Sequence, residues 1–89
     1  MYYTYVLISQ SSGRLYVGSC KDLSDRLKRH NENRSKATKG HGPWELYWAR
    51  PFKTRSEAVR LERKIKSFKN PKYVMKWIAD NKEFWDIFG

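Results

Sequence analysis

A single cysteine, Cys20, stands among the 89 residues, and histidine occurs only twice. No disulfide can therefore close within the chain, and no Cys/His cluster with zinc spacing is present. Acidic residues are also few: nine Asp and Glu face 19 Lys and Arg, a formal net charge of +10. No apolar run is long enough to span a bilayer, and the opening MYYTYVLIS has neither a cationic leader nor a secretory core, so no membrane role is expected and the cytoplasm is the natural compartment. Glycine is sparse, and Gly40-His41-Gly42 lacks the lysine and following helix of a phosphate-cradling loop. The serines have no triad partners that the sequence can place.

What the chain does have is aromatic bulk and positive charge. Six Tyr, four Trp and four Phe supply a modest core, enough for one domain over residues 1–89 and too little for two. The excess of cations attracts polyanions and raises their encounter rate, which makes nucleic acid the first partner to consider. A basic surface kept for solubility, a ribosome-associated structural role and a protein-binding adaptor are the plainer alternatives.

Residues 2–9 are aromatic and β-branched, QSSG supplies a turn, and residues 14–20 are strand-like again, so the first twenty residues predict a β-hairpin. Asp22 is placed to cap a helix over 23–31 whose Leu23 and Leu27 face the core. NRSKATKGHGP has no apolar period and reads as a basic loop, and WELYWARPF reads as a third strand with Pro51 at an edge or end. Thr54 to Glu57 fits a capping box before a helix carrying Ala58, Leu61, Ile65 and Phe68 at helical spacing. KNP then breaks the chain, and Pro71 opens a third helix with Tyr73 or Val74, Trp77 and Ile78 on its apolar face. EFWDIF adds further packing material. The order β-β-α-β-α-α predicts an α+β fold, a small, mostly antiparallel three-stranded sheet flanked by helices.

Hydrolysis of a phosphodiester needs a proton acceptor for water, a cation for the developing charge and usually a metal ligand. Tyr5 and Tyr16 lie on the two hairpin strands. A two-residue loop sets them opposite, a four-residue loop sets them diagonal on one face, and three or five residues separate them. Arg26 and His30 are four apart on one helix and share a face, the first suited to bidentate phosphate binding and the second to proton movement near neutral pH. Each also has an ordinary reading: the tyrosines as core, His30 as a helix-end cation. Glu62, among Arg60, Arg63, Lys64 and Lys66, reads equally as a salt-bridge partner. Phosphate contacts are expected from Arg34, Lys36 and Lys39 in the loop, and from Lys21, Lys28, Arg29 and Lys66 outside it. Trp44 and Trp48 are candidates for base stacking.

Taken together, YTYVL at 3–7 and LYVGSCKDLSDRLKRH at 15–30 resemble the GIY-YIG nuclease family, in its small single-domain bacterial branch. The joint spacing carries the likeness: Tyr5 eleven residues before Tyr16, Gly18 two after it, Arg26 ten after it and His30 four beyond that. SEAVRLERKIK resembles the family's glutamate-bearing helix. The resemblance implies a metal-dependent endonuclease hydrolysing DNA, directed by structure rather than sequence and acting in repair or recombination. It implies Tyr16, or in some proposals Tyr5, as the group that deprotonates water, His30 as a relay, Arg26 on the scissile phosphate, and Glu62 holding one Mg²⁺ or Mn²⁺. Gly18 is architectural in this reading. The first motif lacks its leading glycine, and neither Asn70 nor Asn81 aligns with the family's late asparagine. A catalytically silent DNA- or RNA-binding module of the same fold, structured RNA included, is the alternative. A monomer or weak dimer is expected, with any sequence specificity supplied by a protein partner.

Overall fold

Tyr2–Ser9 (β1) and Leu15–Cys20 (β2) form the expected hairpin, followed by Leu23–Asn31 (α1), Trp44–Phe52 (β3), Arg55–Lys66 (α2) and Pro71–Asp80 (α3). This computed structural model describes residues 1–81, so EFWDIF lies outside the described residues. Two of the three helix caps are those the sequence announces, and Asn70, before Pro71, adds the third. Asp22 accepts from the Asp25 amide, Thr54 from the Glu57 amide and Asn70 from the Lys72 amide, each satisfying an otherwise unpaired donor at a helix start. Lys69 enters the left-handed region at φ 58° and separates α2 from α3.

The sheet is antiparallel with order β2-β1-β3, so β1 is central and β2 and β3 are both edges. Pro51 is thus tolerated on an edge strand, as its missing amide requires. Alternation along β1 sends Tyr5 and Leu7 to one face and Thr4 and Val6 to the other. Helix α1 covers the first face, where Leu23 and Leu27 pack with Tyr5, Leu7, Cys20, Trp44 and Ala49. Helices α2 and α3 cover the second, bringing Leu61, Ile65, Val74 and Ile78 onto Val6, Val17 and Trp48. Val74 is the buried choice in α3, and Tyr73 is exposed.

One irregularity decides where the tryptophans go. Val6 pairs with Trp48 but Leu7 pairs with Leu46, so Tyr47 is an extra residue in β3. Trp44 and Trp48, an even number apart, would share a face in a regular strand; the bulge sends them to opposite faces and into separate cores. Both are at most 5% exposed. Neither can stack on a base, which corrects the expectation drawn from composition.

Helix α2 is tied to the sheet by a buried hydrogen bond, in which the Thr4 hydroxyl donates to the Ala58 carbonyl at 2.7 Å. Thr4→Val keeps the shape and removes the donor. It should cost about 1 kcal/mol in urea unfolding, with the secondary structure unchanged by circular dichroism.

Candidate active site

The hairpin turn spans four residues, 10–13, closed by the Ser9 amide donating to the Arg14 carbonyl at 2.8 Å. The resulting register pairs Tyr5 with Gly18 and Leu7 with Tyr16, so the two tyrosines are diagonal on the face that α1 covers. Their ring centroids are 6.3 Å apart. The Tyr5 side chain lies across Gly18, where a Cβ would meet the Tyr5 hydroxyl at 2.6 Å and its ring carbon at 2.7 Å. Gly18 is therefore required by close approach rather than by backbone dihedral.

Tyr5 points its hydroxyl at His30 Nε2, 3.0 Å away, and His30 Nδ1 lies 2.7 Å from the Thr38 hydroxyl. His30 is 2% exposed and Tyr5 1%, so His30 is not an ordinary solvated helix-end cation. Burial, then the charges of Arg26 and Arg29, hold the His30 pKa below its ordinary value. Burial, then Tyr16 and Cys20, push the Tyr5 phenol well above its ordinary value, opposed in part by Arg26. A neutral imidazole and a neutral phenol therefore meet here. One tautomer has Nδ1–H donating to Thr38 while Nε2 accepts from Tyr5; the other reverses both bonds.

Thr38 is a site residue that sequence reasoning missed. It is fully buried in an otherwise exposed basic loop. Its carbonyl accepts from the Trp44 indole at 3.2 Å, and Trp44 in turn exchanges backbone hydrogen bonds with the Asn31 side chain. No periodicity marks such a position.

Tyr16 differs from Tyr5. It is half-buried, and its ring lies 4.8 Å from that of His30. Arg26, also half-buried, reaches a cavity of about 110 Å³ at the end of β2, lined by Tyr2, Ser19, Cys20, Lys21, Arg26, Arg55 and Ala58. Three of those side chains are cations, and the first turn of α2 forms one wall. Burial pushes the Cys20 thiol up to about 11, so it stays protonated and is no nucleophile.

Glu62 comes from the other side of the sheet. Ser19, out of phase with Gly18 and Cys20, points toward α2 and donates to Glu62 Oε1 at 2.6 Å, while Lys66 holds Oε2 at 2.6 Å. Tyr5, Tyr16, Arg26 and His30 are thus gathered on one face, whereas Glu62 stands on the other, bonded to Ser19, which lines the Arg26 cavity. Among the described residues no three His, Cys, Asp or Glu side chains converge. A single carboxylate fits Mg²⁺ or Mn²⁺ held chiefly by water and substrate oxygens, and does not fit a cation caged by protein.

Of the expected phosphate contacts, Lys21, Lys28, Lys36 and Lys39 are exposed. Arg29 pairs with Asp25, Arg34 with Glu32, and Lys66 with Glu62. Asn70 caps α3, and Asn81 donates to the Trp77 carbonyl, so both candidate late asparagines serve helix ends. Among the described residues no helix is long and apolar enough to cross a membrane.

Residues 1–74 match the model of the GIY-YIG catalytic domain. The chain belongs to the GIY-YIG family. Within this nuclease family its relatives are small bacterial proteins. A UPF0213 protein of Staphylococcus saprophyticus is 36% identical over 72 residues, covering 80% of this chain and 87% of the relative. A UPF0213 protein of Staphylococcus aureus is 34% identical over 67 residues, covering 74% and 82% respectively. Among solved structures, the solution NMR structure of UPF0213 protein BH0048 from Bacillus halodurans superposes with a TM-score of 0.55 at 28% identity, over 89% of this chain and 84% of that one. The GIY-YIG fold of this chain is thus the three-stranded α+β arrangement expected from its sequence.

Two outcomes follow from the Tyr5 cluster. Because the native His30 value lies below the ordinary 6.5, the unfolded chain takes up this proton first as pH falls. The His30 contribution to stability is whole above 6.5 and declines below it, by at most about 1.4 kcal/mol per pH unit, until the lowered native value is reached. Urea unfolding between about pH 7.5 and about pH 5.5 should show this slope, and His30→Gln should flatten it. Gly18→Ala forces the Tyr5 phenol aside and should cost about 1–3 kcal/mol by the same measurement.

Proposed function

We propose that this GIY-YIG protein is a metal-dependent endonuclease that hydrolyses DNA phosphodiester bonds, at sites chosen by DNA structure rather than by base sequence. The observation that carries the reading is the small cationic cavity at the end of β2, with Arg26 and Lys21 on its wall, Tyr16 on the adjoining face and Ser19 linking it to Glu62. A phosphate seated there meets a planar guanidinium able to hold two of its oxygens.

Tyr16 is the less buried of the two tyrosines, and in its phenolate form it takes the proton of the attacking water as the new P–O bond forms and the bond to the leaving deoxyribose oxygen breaks. Tyr5 holds His30, and the Tyr16 ring packs against that buried pair. Arg26 stabilises the charge that develops on the phosphate. Glu62 would hold a single Mg²⁺ or Mn²⁺, which supplies charge stabilisation at the leaving oxygen when bound. The cationic lining of the cavity suits phosphate oxygens and carries no code for bases, which favours junctions, flaps and nicks as substrates. Cutting of that kind is what DNA repair and recombination require.

The test is cleavage of branched, flapped, nicked and linear DNA by the purified protein in Mg²⁺ or Mn²⁺. Wild type should cut, EDTA should abolish cutting, and Glu62→Gln, Arg26→Ala and Tyr16→Phe should each lower the rate by roughly a hundredfold or more. Binding without cutting by wild type, or equal cutting by all variants, would replace this reading with a catalytically silent nucleic acid-binding module.

A further inference from the structure

The outer face of α2 is basic in a way that the folded chain does not itself use. Ala58, Leu61 and Ile65 form the buried stripe of this helix. On the far side, Arg55, Ser56, Val59, Arg60 and Arg63 line a shallow depression of about 630 Å³ that contains no acidic side chain. Both acids of α2 are engaged elsewhere. Glu57 accepts from Thr54, and Glu62 is held by Ser19 and Lys66. Arg60 and Arg63 are exposed and have no acidic partner among the described residues. Like charges three apart on a helix repel, and neither arginine is held in an ion pair among the described residues.

Arg55 lies at the junction of two features. It lines the outer depression and also the cavity that holds Arg26 and Lys21, with its guanidinium 5.5 Å from the centre of the Tyr2 ring. The candidate phosphate cavity and the arginine stripe are therefore continuous. From Arg55 to Arg63 the helix rises by about 12 Å. A lone phosphate cannot span that length, whereas a duplex presents one charge per roughly 1.7 Å of its axis.

We propose that the Arg55, Arg60 and Arg63 face of α2 is a docking surface for the phosphate backbone of duplex DNA, holding the arm that leads away from the cavity. The proposal rests on the reading of this chain as DNA-directed, and it extends the contact surface beyond the cations singled out from the sequence, of which Lys66 alone lies on α2. Arginine suits the task, since its fork pairs with phosphate oxygens without reading bases.

The experiment is fluorescence anisotropy with a labelled DNA duplex in EDTA across a salt series, so that binding is read where no metal-dependent cutting occurs. Arg60→Gln/Arg63→Gln should lower the slope of log affinity against log salt by about two, given roughly 0.9 per lost phosphate contact. Lys72→Gln/Lys76→Gln, an equal loss of charge on α3, should leave the slope nearly unchanged. Thermal unfolding confirms that both variants are folded. An unchanged slope for the arginine variant, or an equal fall for the α3 variant, overturns the proposal. So does loss of a structured RNA hairpin with duplex DNA binding intact. Absence of cleavage in the metal-containing assay leaves this result standing, so failure of the nuclease reading and failure of the docking surface are separable.

Discussion

The hydrogen bond between the Tyr5 hydroxyl and His30 Nε2, made where both side chains are almost wholly out of solvent, joins three otherwise separate pieces of the chain. Tyr5 belongs to the central strand, His30 to the end of α1, and Thr38, on the opposite ring nitrogen, to the loop that follows. A buried polar group left without a partner costs roughly 1–3 kcal/mol, so each of these three groups holds the other two in place. Gly18 is part of the same constraint, because only a residue without Cβ lets the Tyr5 ring lie flat enough to reach His30. The cost of this arrangement is chemical as well as steric. The more firmly Tyr5 is buried, the less able it is to ionise, and in the proposed reaction the role of contacting water passes to the more exposed Tyr16.

Strand order explains how residues from opposite faces of one sheet can serve the one proposed site. Strand β2 is an edge, so its C-terminal end is open on both sides. There Cys20 faces α1 and Ser19 faces α2. Arg26 approaches from the first side, and Glu62 is held from the second. A central strand carrying the same residues would keep the two apart. The ion pair between Glu62 and Lys66 is a different kind of contact: Lys66 is half exposed, and such pairs contribute about 0–1 kcal/mol. Ser19 thus fixes the carboxylate, and Lys66 can yield its place to another cation at little cost.

Much of this was legible in the sequence because it depends on local chemistry. Asp22 and Thr54 mark helix starts through the unpaired amides they satisfy and Pro71 through its fixed backbone angle, and the strands follow aromatic and β-branched runs. The relation of Tyr5 to Tyr16 was reduced to a choice of loop length, which the four-residue turn then decided. Ser19 could also have been placed, since its phase opposite Gly18 points it at α2. What was not legible depends on features without a period. The bulge at Tyr47 reverses the side on which Trp48 lands, and with it the idea of exposed tryptophans fails. Thr38 sits in a run of polar and basic residues that looks fully solvated, yet its burial follows from a partner eight residues away in sequence and from the Trp44 indole.

Charge behaves in the same way. A net charge of +10 says that the protein attracts polyanions, but not where, because it sums cations that are paired with those that are not. Arg29, Arg34 and Lys66 each have an acid beside them. Arg60 and Arg63 were read from the sequence only as the basic surroundings of Glu62, yet the fold turns Glu62 inward toward Ser19 and leaves these arginines on the solvent side. The residue that most resembled their partner is thereby removed from them. A helix that turns Glu62 to the sheet edge and keeps Arg60 and Arg63 outside has an inner end suited to one phosphate and an outer face suited to many.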